Sequence, residues 1–127
     1  MNVLETGGLD APLLRALQCA ARMPERQVRD SAWNELIPLS FFLVALTRPK
    51  TVVELGVHRG ASYCSFCQAV RDLALEARCF GIDSWEGDRQ TGYYDKQEVL
   101  GELRGYHDPR YGAFSVLLES RFDDVLA

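Results

Sequence analysis

Two acidic residues of this 127-residue chain each end a short apolar run: Glu54 in TVVEL and Asp83 in RCFGID. A carboxylate can pair with a cationic amine or accept two hydrogen bonds from a vicinal diol. Gly56 and Gly60 follow the first acid and allow a sharp turn with close backbone approach to a ligand. A helix starting at Ala61 would aim its free amides and positive dipole end at that ligand. This order of strand, glycine turn and helix is typical of the start of a nucleotide-type cofactor site.

The spacing of the two acids predicts the elements that position them. Glu54 and Asp83 are 29 positions apart (83 − 54), which accommodates one crossover helix over residues 61–77. The two acids should then end neighbouring parallel strands at the carboxyl edge of a sheet, where ligands of open α/β sheets bind. We therefore expect an α/β fold built on a parallel sheet.

The ordered motifs ELGVHRG and GIDSWEGD resemble the first half of class I S-adenosylmethionine-dependent methyltransferases. They are similar in particular to bacterial methyltransferases that often accompany glycosyltransferases in sugar-modifying pathways. The resemblance implies a Rossmann-like sheet and S-adenosylmethionine as the cofactor, with Glu54 at its methionine end and Asp83 at its ribose hydroxyls. The resemblance implies that Glu54, Gly56, Gly60, Asp83, Ser84 and Trp85 bind the cofactor, and His58 is a further candidate cofactor-binding residue.

His58 departs from the general methyltransferase pattern, which has a third glycine at this position. Either the turn is wider here or the His58 side chain faces the cofactor. A dinucleotide site is less favoured, because a GxGxxG motif starting at Gly56 would need glycines where His58 and Ala61 stand. An acid inside the first motif also suits a cationic amino-acid moiety better than a pyrophosphate.

The resemblance implies direct displacement of the sulfonium methyl by an oxygen of a small-molecule acceptor, such as a sugar. A base or metal need only remove the acceptor proton, and the nearby candidates are His58, His107, Asp88 and Asp108. No partner motif singles one out, so the catalytic residue is unassigned. An alternative function is a non-catalytic α/β interaction module that self-associates through its open sheet edge. Unpaired edge groups are costly to leave bare, so a homo-oligomer is expected for either function.

Composition argues against several kinds of partner and location. The chain carries 14 basic and 18 acidic residues, a net charge of −4, and no basic patch, so nucleic acid is not expected as a partner. Its longest apolar run, residues 41–46, is too short to span a bilayer. No signal peptide is expected, because residues 1–8 contain Glu5 and no basic region before an apolar core. The expected location is the cytoplasm. Cys64 and Cys67 form a CxxC without a second ligand pair, so no metal site is expected.

Residues 1–50 are interpreted as an N-terminal helical segment. Its first helix is expected to be capped by Asp10 and to end near Pro24. Its second helix is expected to start after Ser31 and to be kinked or interrupted by Pro38. The apolar stripe of that second helix is predicted to comprise Trp33, Ile37, Phe41 and Val44.

Residues 51–127 are interpreted as a partial cofactor-binding α/β domain. Residues 84–109 are expected to form a loop with at most a short helix over 96–104, because glycines recur through them. Trp85 in this loop would either stack on a ligand or pack over the sheet edge. The segment AFSVLLES predicts a third strand, with Ser120 near the adenine, although one helix over 112–119 fits the periodicity equally well.

A methyltransferase sheet normally has more strands than this sequence predicts. The sequence is therefore expected to be the amino-terminal part of a longer protein. The 127 residues by themselves are expected to bind the cofactor without turning over an acceptor.

Overall fold

The computed structural model describes residues 10–127 of the chain. Its helices are α1 Ala11–Cys19, α2 Ile37–Thr47, α3 Ala61–Asp72, α4 Lys96–Tyr111 and α5 Phe122–Leu126. Its strands are β1 Thr51–Leu55, β2 Arg78–Asp83, β3 Gly87–Asp88, β4 Gly92–Tyr93 and β5 Ser115–Glu119.

Strands β1, β2 and β5 form a parallel sheet in the order β1-β2-β5, and β3 and β4 form a separate antiparallel hairpin. The register pairs Leu55 with Ile82 and Asp83 with Glu119, so the carboxyl ends of all three strands lie at one edge. This parallel sheet with its crossover helices confirms the predicted Rossmann-like α/β class. Residues 115–119 form the predicted third strand and not the alternative helix.

Helix α3 is the centre of the hydrophobic core, because nine of its 12 residues are buried. Gly81 on β2 allows α3 to lie close to the sheet, since an added Cβ would be 2.9 Å from the Tyr63 ring. Cys64 and Cys67 are buried free thiols on this helix. The helix ends at Asp72, five residues before the predicted end (77 − 72), because Ala74 turns into the left-handed region with φ +51°.

The prediction that residues 84–109 form mainly a loop was wrong, because most of its second half belongs to the 16-residue helix α4. The Asp95 carboxylate caps this helix by accepting a 3.0 Å hydrogen bond from the Glu98 amide. Gly101 and Gly105, which suggested a loop, are exposed, and an added Cβ would meet no atom within 4 Å at either position. Burial of the apolar face outweighs their poor helix propensity, about 1 kcal/mol each. That face consists of Val99, Leu100, Leu103, His107 and Tyr111.

The second N-terminal helix begins later than predicted, at Ile37. Pro38 lies in its first turn, where a missing N–H is tolerated, so the predicted kink at Pro38 was wrong. Phe41 and Val44 are buried as expected. Trp33 precedes the helix and is 41% exposed, so its predicted place in the apolar stripe was also wrong.

The first N-terminal helix is capped as predicted, because the Asp10 carboxylate accepts a 2.8 Å hydrogen bond from the Leu13 amide. It ends at Cys19, earlier than expected. Helix α1 packs against α2, and α2 packs against α3, so the N-terminal helices are joined to the sheet through the core.

Candidate functional site

Glu54 occupies the penultimate position of β1 and presents one unsatisfied carboxylate oxygen. Ser62 Oγ donates a 2.7 Å hydrogen bond to Glu54 Oε1. Glu54 Oε2 is buried and has no hydrogen-bond partner among residues 10–127. Burial raises the pKa of Glu54 to about 7, the Ser62 hydrogen bond opposes that rise, and the charge of Asp83 adds to it. A buried orphan oxygen of this kind is suited to a cationic or hydrogen-bond-donating group of a ligand.

The turn after β1 uses the left-handed backbone region three times, at Gly56 (φ +86°), His58 (φ +52°) and Gly60 (φ +81°). The Gly56 amide donates to the Ile82 carbonyl at 2.8 Å and extends the sheet register into the turn. At Gly60 an added Cβ would lie 2.6 Å from Leu103 Cδ1, so a side chain is excluded by space as well as by φ. Gly56 and Gly60 therefore allow the sharp turn after β1 that their spacing predicted.

His58 adopts its unusual φ because its backbone is held from two sides. Its amide donates a 2.8 Å hydrogen bond to Asp83 Oδ2, and its carbonyl accepts a 2.9 Å hydrogen bond from Trp85 Nε1. Its ring lies 4.8 Å from the Tyr94 ring, centroid to centroid. Burial lowers the pKa of His58, and the Arg59 charge lowers it further, so the neutral imidazole is favoured at pH 7.

Asp83 at the end of β2 organises the site and retains free acceptor capacity. Its Oδ1 accepts a 2.9 Å hydrogen bond from the Trp85 amide, and its Oδ2 accepts the His58 amide. Each carboxylate oxygen has two lone-pair directions, so both oxygens can still accept from a diol. The Asp83 side chain thus joins the two sequence motifs directly, as their spacing suggested.

Trp85 and Ser84 follow Asp83 but face different environments. The Trp85 side chain is 0% exposed, so the ring packs in the core, and its Nε1 donates a hydrogen bond to the His58 carbonyl. Ser84 is half-buried and lines a cleft of about 210 Å³ with residues 120–123. The Ser120 amide donates to the Asp83 carbonyl at 2.9 Å, which places this small cleft beside Asp83.

A larger cleft of about 560 Å³ is lined by the turn after β1. One wall consists of residues 56–59 with Ala61 and Ser62, and the opposite wall consists of residues 28–33. Thr91 of the β3–β4 hairpin also lines it. The sequence motifs gave no indication of the 28–33 wall, because these residues form turns and carry no cofactor pattern.

Three of the candidate proton acceptors lie elsewhere. His107 is 1% exposed, and its Nε2 lies 2.7 Å from the Oγ of Ser115, the first residue of β5 and therefore at the opposite sheet edge. Asp108 bonds to the His107 ring at 2.7 Å. Asp88 accepts hydrogen bonds from Thr91 and from the Gln90 amide, and so caps the hairpin turn. Of the four candidates, His58 alone lines the larger cleft.

A family model described as a methyltransferase domain matches residues 53–127 of the chain. That match covers more than half of the sequence, and it contains Glu54, the glycine turn and Asp83. The chain therefore belongs to the methyltransferase family, and the predicted kinship with class I S-adenosylmethionine-dependent methyltransferases is confirmed.

The chain is also similar to a protein from Sinorhizobium fredii (strain NBRC 101917 / NGR234) named "Uncharacterized protein y4gI". The two are 41% identical over 96 residues, which is 76% of this chain and 10% of that protein. The match therefore spans about a tenth of the relative's own length.

Two further properties of residues 10–127 bear on the site. They contain no group of three or more His, Cys, Asp or Glu side chains that could hold a metal ion. No helix within the same residues is both long enough and apolar enough to cross a membrane.

Proposed function

We propose that this chain binds S-adenosylmethionine across the carboxyl edge of its sheet and supports methyl transfer to an oxygen of a small molecule. The observation that carries the proposal is that two carboxylates with free acceptor capacity end neighbouring strands of the sheet. Glu54 Oε2 is buried without a hydrogen-bond partner, and the Asp83 carboxylate is only partly used by protein donors. S-adenosylmethionine offers an ammonium at one end and a ribose diol near its middle. The two acids match these groups in chemistry and in order.

The protein's own residues would bind and orient the cofactor. Glu54 Oε2 would accept a hydrogen bond from the ammonium, and Asp83 would accept from the ribose hydroxyls. The glycine turn would let the backbone approach the cofactor without a side chain intervening. When bound, the cofactor supplies an electrophilic methyl group. Catalysis then rests largely on holding an acceptor in line with that methyl group.

His58 is the residue we propose for removing the acceptor proton. It lines the larger cleft, and its lowered pKa favours the neutral imidazole that can accept a proton at pH 7. We propose a sugar hydroxyl as the acceptor, on the resemblance to methyltransferases of sugar-modifying pathways. We propose the same activity and the same small-molecule acceptor for any longer protein that contains this domain. The buried free cysteines, Cys19, Cys64, Cys67 and Cys79, support a reducing location such as the cytoplasm.

Titration calorimetry with S-adenosylhomocysteine tests cofactor binding, and we expect one site per chain. Methyl transfer from labelled S-adenosylmethionine to a panel of sugars and small phenols tests the acceptor class. We expect the 127 residues by themselves to bind the cofactor without labelling an acceptor, and any longer protein that contains them to label sugars and not phenols. Heat changes no larger than those from injecting buffer without S-adenosylhomocysteine would contradict the proposed function. Label in phenols alone would contradict the sugar acceptor.

A second candidate function, self-association, is favoured by one face of the sheet. Gly81 on β2 packs against α3 on one face of the sheet. Phe80, the preceding residue, therefore points to the opposite face, together with its strand partners Val53 and Val116. We call these three residues and Leu55 the open sheet face. Val53 is 55% exposed, and Leu55 and Val116 are also exposed. Apolar patches of this kind mark interaction surfaces, and we propose that a second copy of the chain covers it.

The expected result is that the 127-residue chain elutes with about twice its 14.3 kDa mass in gel filtration coupled to light scattering. Val53→Lys should produce a monomer, because a charge in the open sheet face cannot be buried without a partner. Leu17→Lys on α1 is the control, since Leu17 is exposed but lies outside the sheet. A monomeric unchanged chain over a hundredfold concentration range would overturn this proposal.

A further inference from the structure

We propose that Arg29 binds the α-carboxylate of the cofactor's methionine moiety. This inference rests on the proposed function and deepens it. An amino-acid zwitterion needs a cation for its carboxylate as well as an anion for its ammonium. Glu54 supplies the anion, but neither sequence motif supplies a free cation.

Arg29 and Arg59 are the two basic residues that line the larger cleft. Arg59 is already engaged, because its Nη1 lies 3.1 Å from Glu102 Oε2 in an ion pair. The Arg29 guanidinium, by contrast, forms no ion pair with any carboxylate in the described part of the chain. Asp30 lines the same cleft without pairing to it. Arg29 is therefore the cation that remains available to an anionic ligand group.

The segment that carries Arg29 is tied to the glycine turn on its N-terminal side. Arg26 Nε donates a 2.8 Å hydrogen bond to the carbonyl of Arg59, directly before Gly60. The Gln68 amide group of α3 bonds to the Met23 carbonyl at 3.0 Å and to the Glu25 amide at 2.8 Å.

The segment is also braced on its C-terminal side. Asn34 Nδ2 donates to the Val28 carbonyl at 3.0 Å, and Ser31 Oγ accepts from the Trp33 amide at 3.2 Å. These bonds hold residues 28–33 as one wall of the cleft, facing Gly56 and Ser62, whose hydroxyl bonds to Glu54.

The charge of the site supports the same assignment. Glu54, Asp83 and Asp30 are acidic, so a carboxylate entering without a cation would be repelled. A guanidinium binds a carboxylate with two parallel hydrogen bonds, which fixes orientation as well as charge. Arg29 would thereby select the complete amino-acid moiety, while Asp83 selects the ribose.

The test compares two probes that differ in the amino-acid moiety. S-adenosylhomocysteine contains the zwitterion, and 5′-methylthioadenosine retains the adenosine and lacks it. Arg29→Gln should weaken S-adenosylhomocysteine about tenfold or more in calorimetry and change the affinity for 5′-methylthioadenosine less than twofold, and Arg29→Lys should recover part of the loss. Arg15→Gln, at an exposed arginine on α1 outside this cleft, should leave both affinities unchanged.

The outcomes separate this inference from the proposed function. Unchanged S-adenosylhomocysteine affinity in Arg29→Gln, or equal weakening of both probes, would overturn the role of Arg29 and leave the proposed function standing. No binding of S-adenosylhomocysteine by the unchanged chain would overturn the proposed function, and the role of Arg29 with it. Circular dichroism of the variant should match that of the unchanged chain, because Arg29 is exposed.

Discussion

The affinity for S-adenosylhomocysteine is expected to fall by up to tenfold for each pH unit below about 7, and Glu54→Gln should remove this dependence. The ammonium binds the ionised carboxylate, and burial raises the pKa of Glu54 to about 7. Below that pH Glu54 is protonated and must release a proton before the ligand binds, which costs about 1.4 kcal/mol per unit. Above it the affinity should reach a plateau.

The same residue should make the unliganded protein less stable as pH rises. The pKa of Glu54 is raised from 4.5 in its unperturbed state to about 7 in the folded state. The folded state therefore holds the proton more tightly, and the stabilisation present below pH 4.5 is lost as pH rises to about 7. At pH 8 the free energy of unfolding of Glu54→Gln should accordingly exceed that of the unchanged chain by roughly 1–3 kcal/mol. The variant should therefore unfold at a higher urea concentration. This is a site where binding function opposes stability.

Calorimetry from pH 5.5 to 8, in two buffers of different ionisation enthalpy, measures both the affinity and the protons released. Urea unfolding at pH 5 and pH 8 measures the stability. Glu76→Gln is the matched control, because Glu76 is an exposed acid on the loop before β2 and should retain the unchanged chain's pH profile. An affinity that is flat across this range in the unchanged chain would refute the contact between Glu54 and the ammonium.

Asp83→Ala should weaken S-adenosylhomocysteine and 5′-methylthioadenosine alike, by about 1.5–3 kcal/mol, the range for hydrogen bonds to a charged group. Both probes contain the ribose diol, so both should lose the same contact. The variant should also be less stable, because the amides of His58 and Trp85 lose their acceptor. Asp83→Asn should not restore binding, since its amide NH2 replaces one of the two acceptor oxygens and cannot accept a hydrogen bond from a backbone N–H or from the diol.

The measurement is calorimetry with both probes at 15 °C, together with urea unfolding to confirm that each variant is folded. Glu35→Ala, at an exposed acid outside both clefts, is the control and should change neither affinity. Full affinity for both probes in a folded Asp83→Ala would contradict the ribose assignment. Loss of S-adenosylhomocysteine binding alone would move Asp83 from the ribose to the amino-acid end.

The part of the fold that positions Glu54 and Asp83 was predictable from the sequence because its signals are local. β-branched residues before Glu54, glycines after it and a helix-length interval before Asp83 each act over a few neighbours. Two parallel strands joined by one crossover helix then leave little choice of arrangement. The kinship of the chain followed from the same two motifs.

The roles of the two tryptophans depended on contacts that no local pattern specifies. Trp85 is buried in the hydrophobic core, where its indole N–H donates to the His58 carbonyl, 27 positions earlier. Trp33 fits the helical stripe in sequence, but the helix starts only at Ile37. Helix α4 likewise forms against the signal of its glycines, because its apolar face has the core to pack against.

The sequence by itself determined the α/β class, the carboxyl-edge location of the two acids and the methyltransferase family, because each depends on short-range spacing. Only the tertiary structure decided which residues lie opposite the glycine turn between the two acids. Arg26 and Gln68 bring residues 28–33 against the glycine turn over separations of 33 and 45 positions, through hydrogen bonds to Arg59 and Met23. The burial that raises the pKa of Glu54 likewise comes from the folded chain and not from its neighbours in sequence. Such long-range contacts depend on the whole packed chain, and no stretch of sequence read alone contains them.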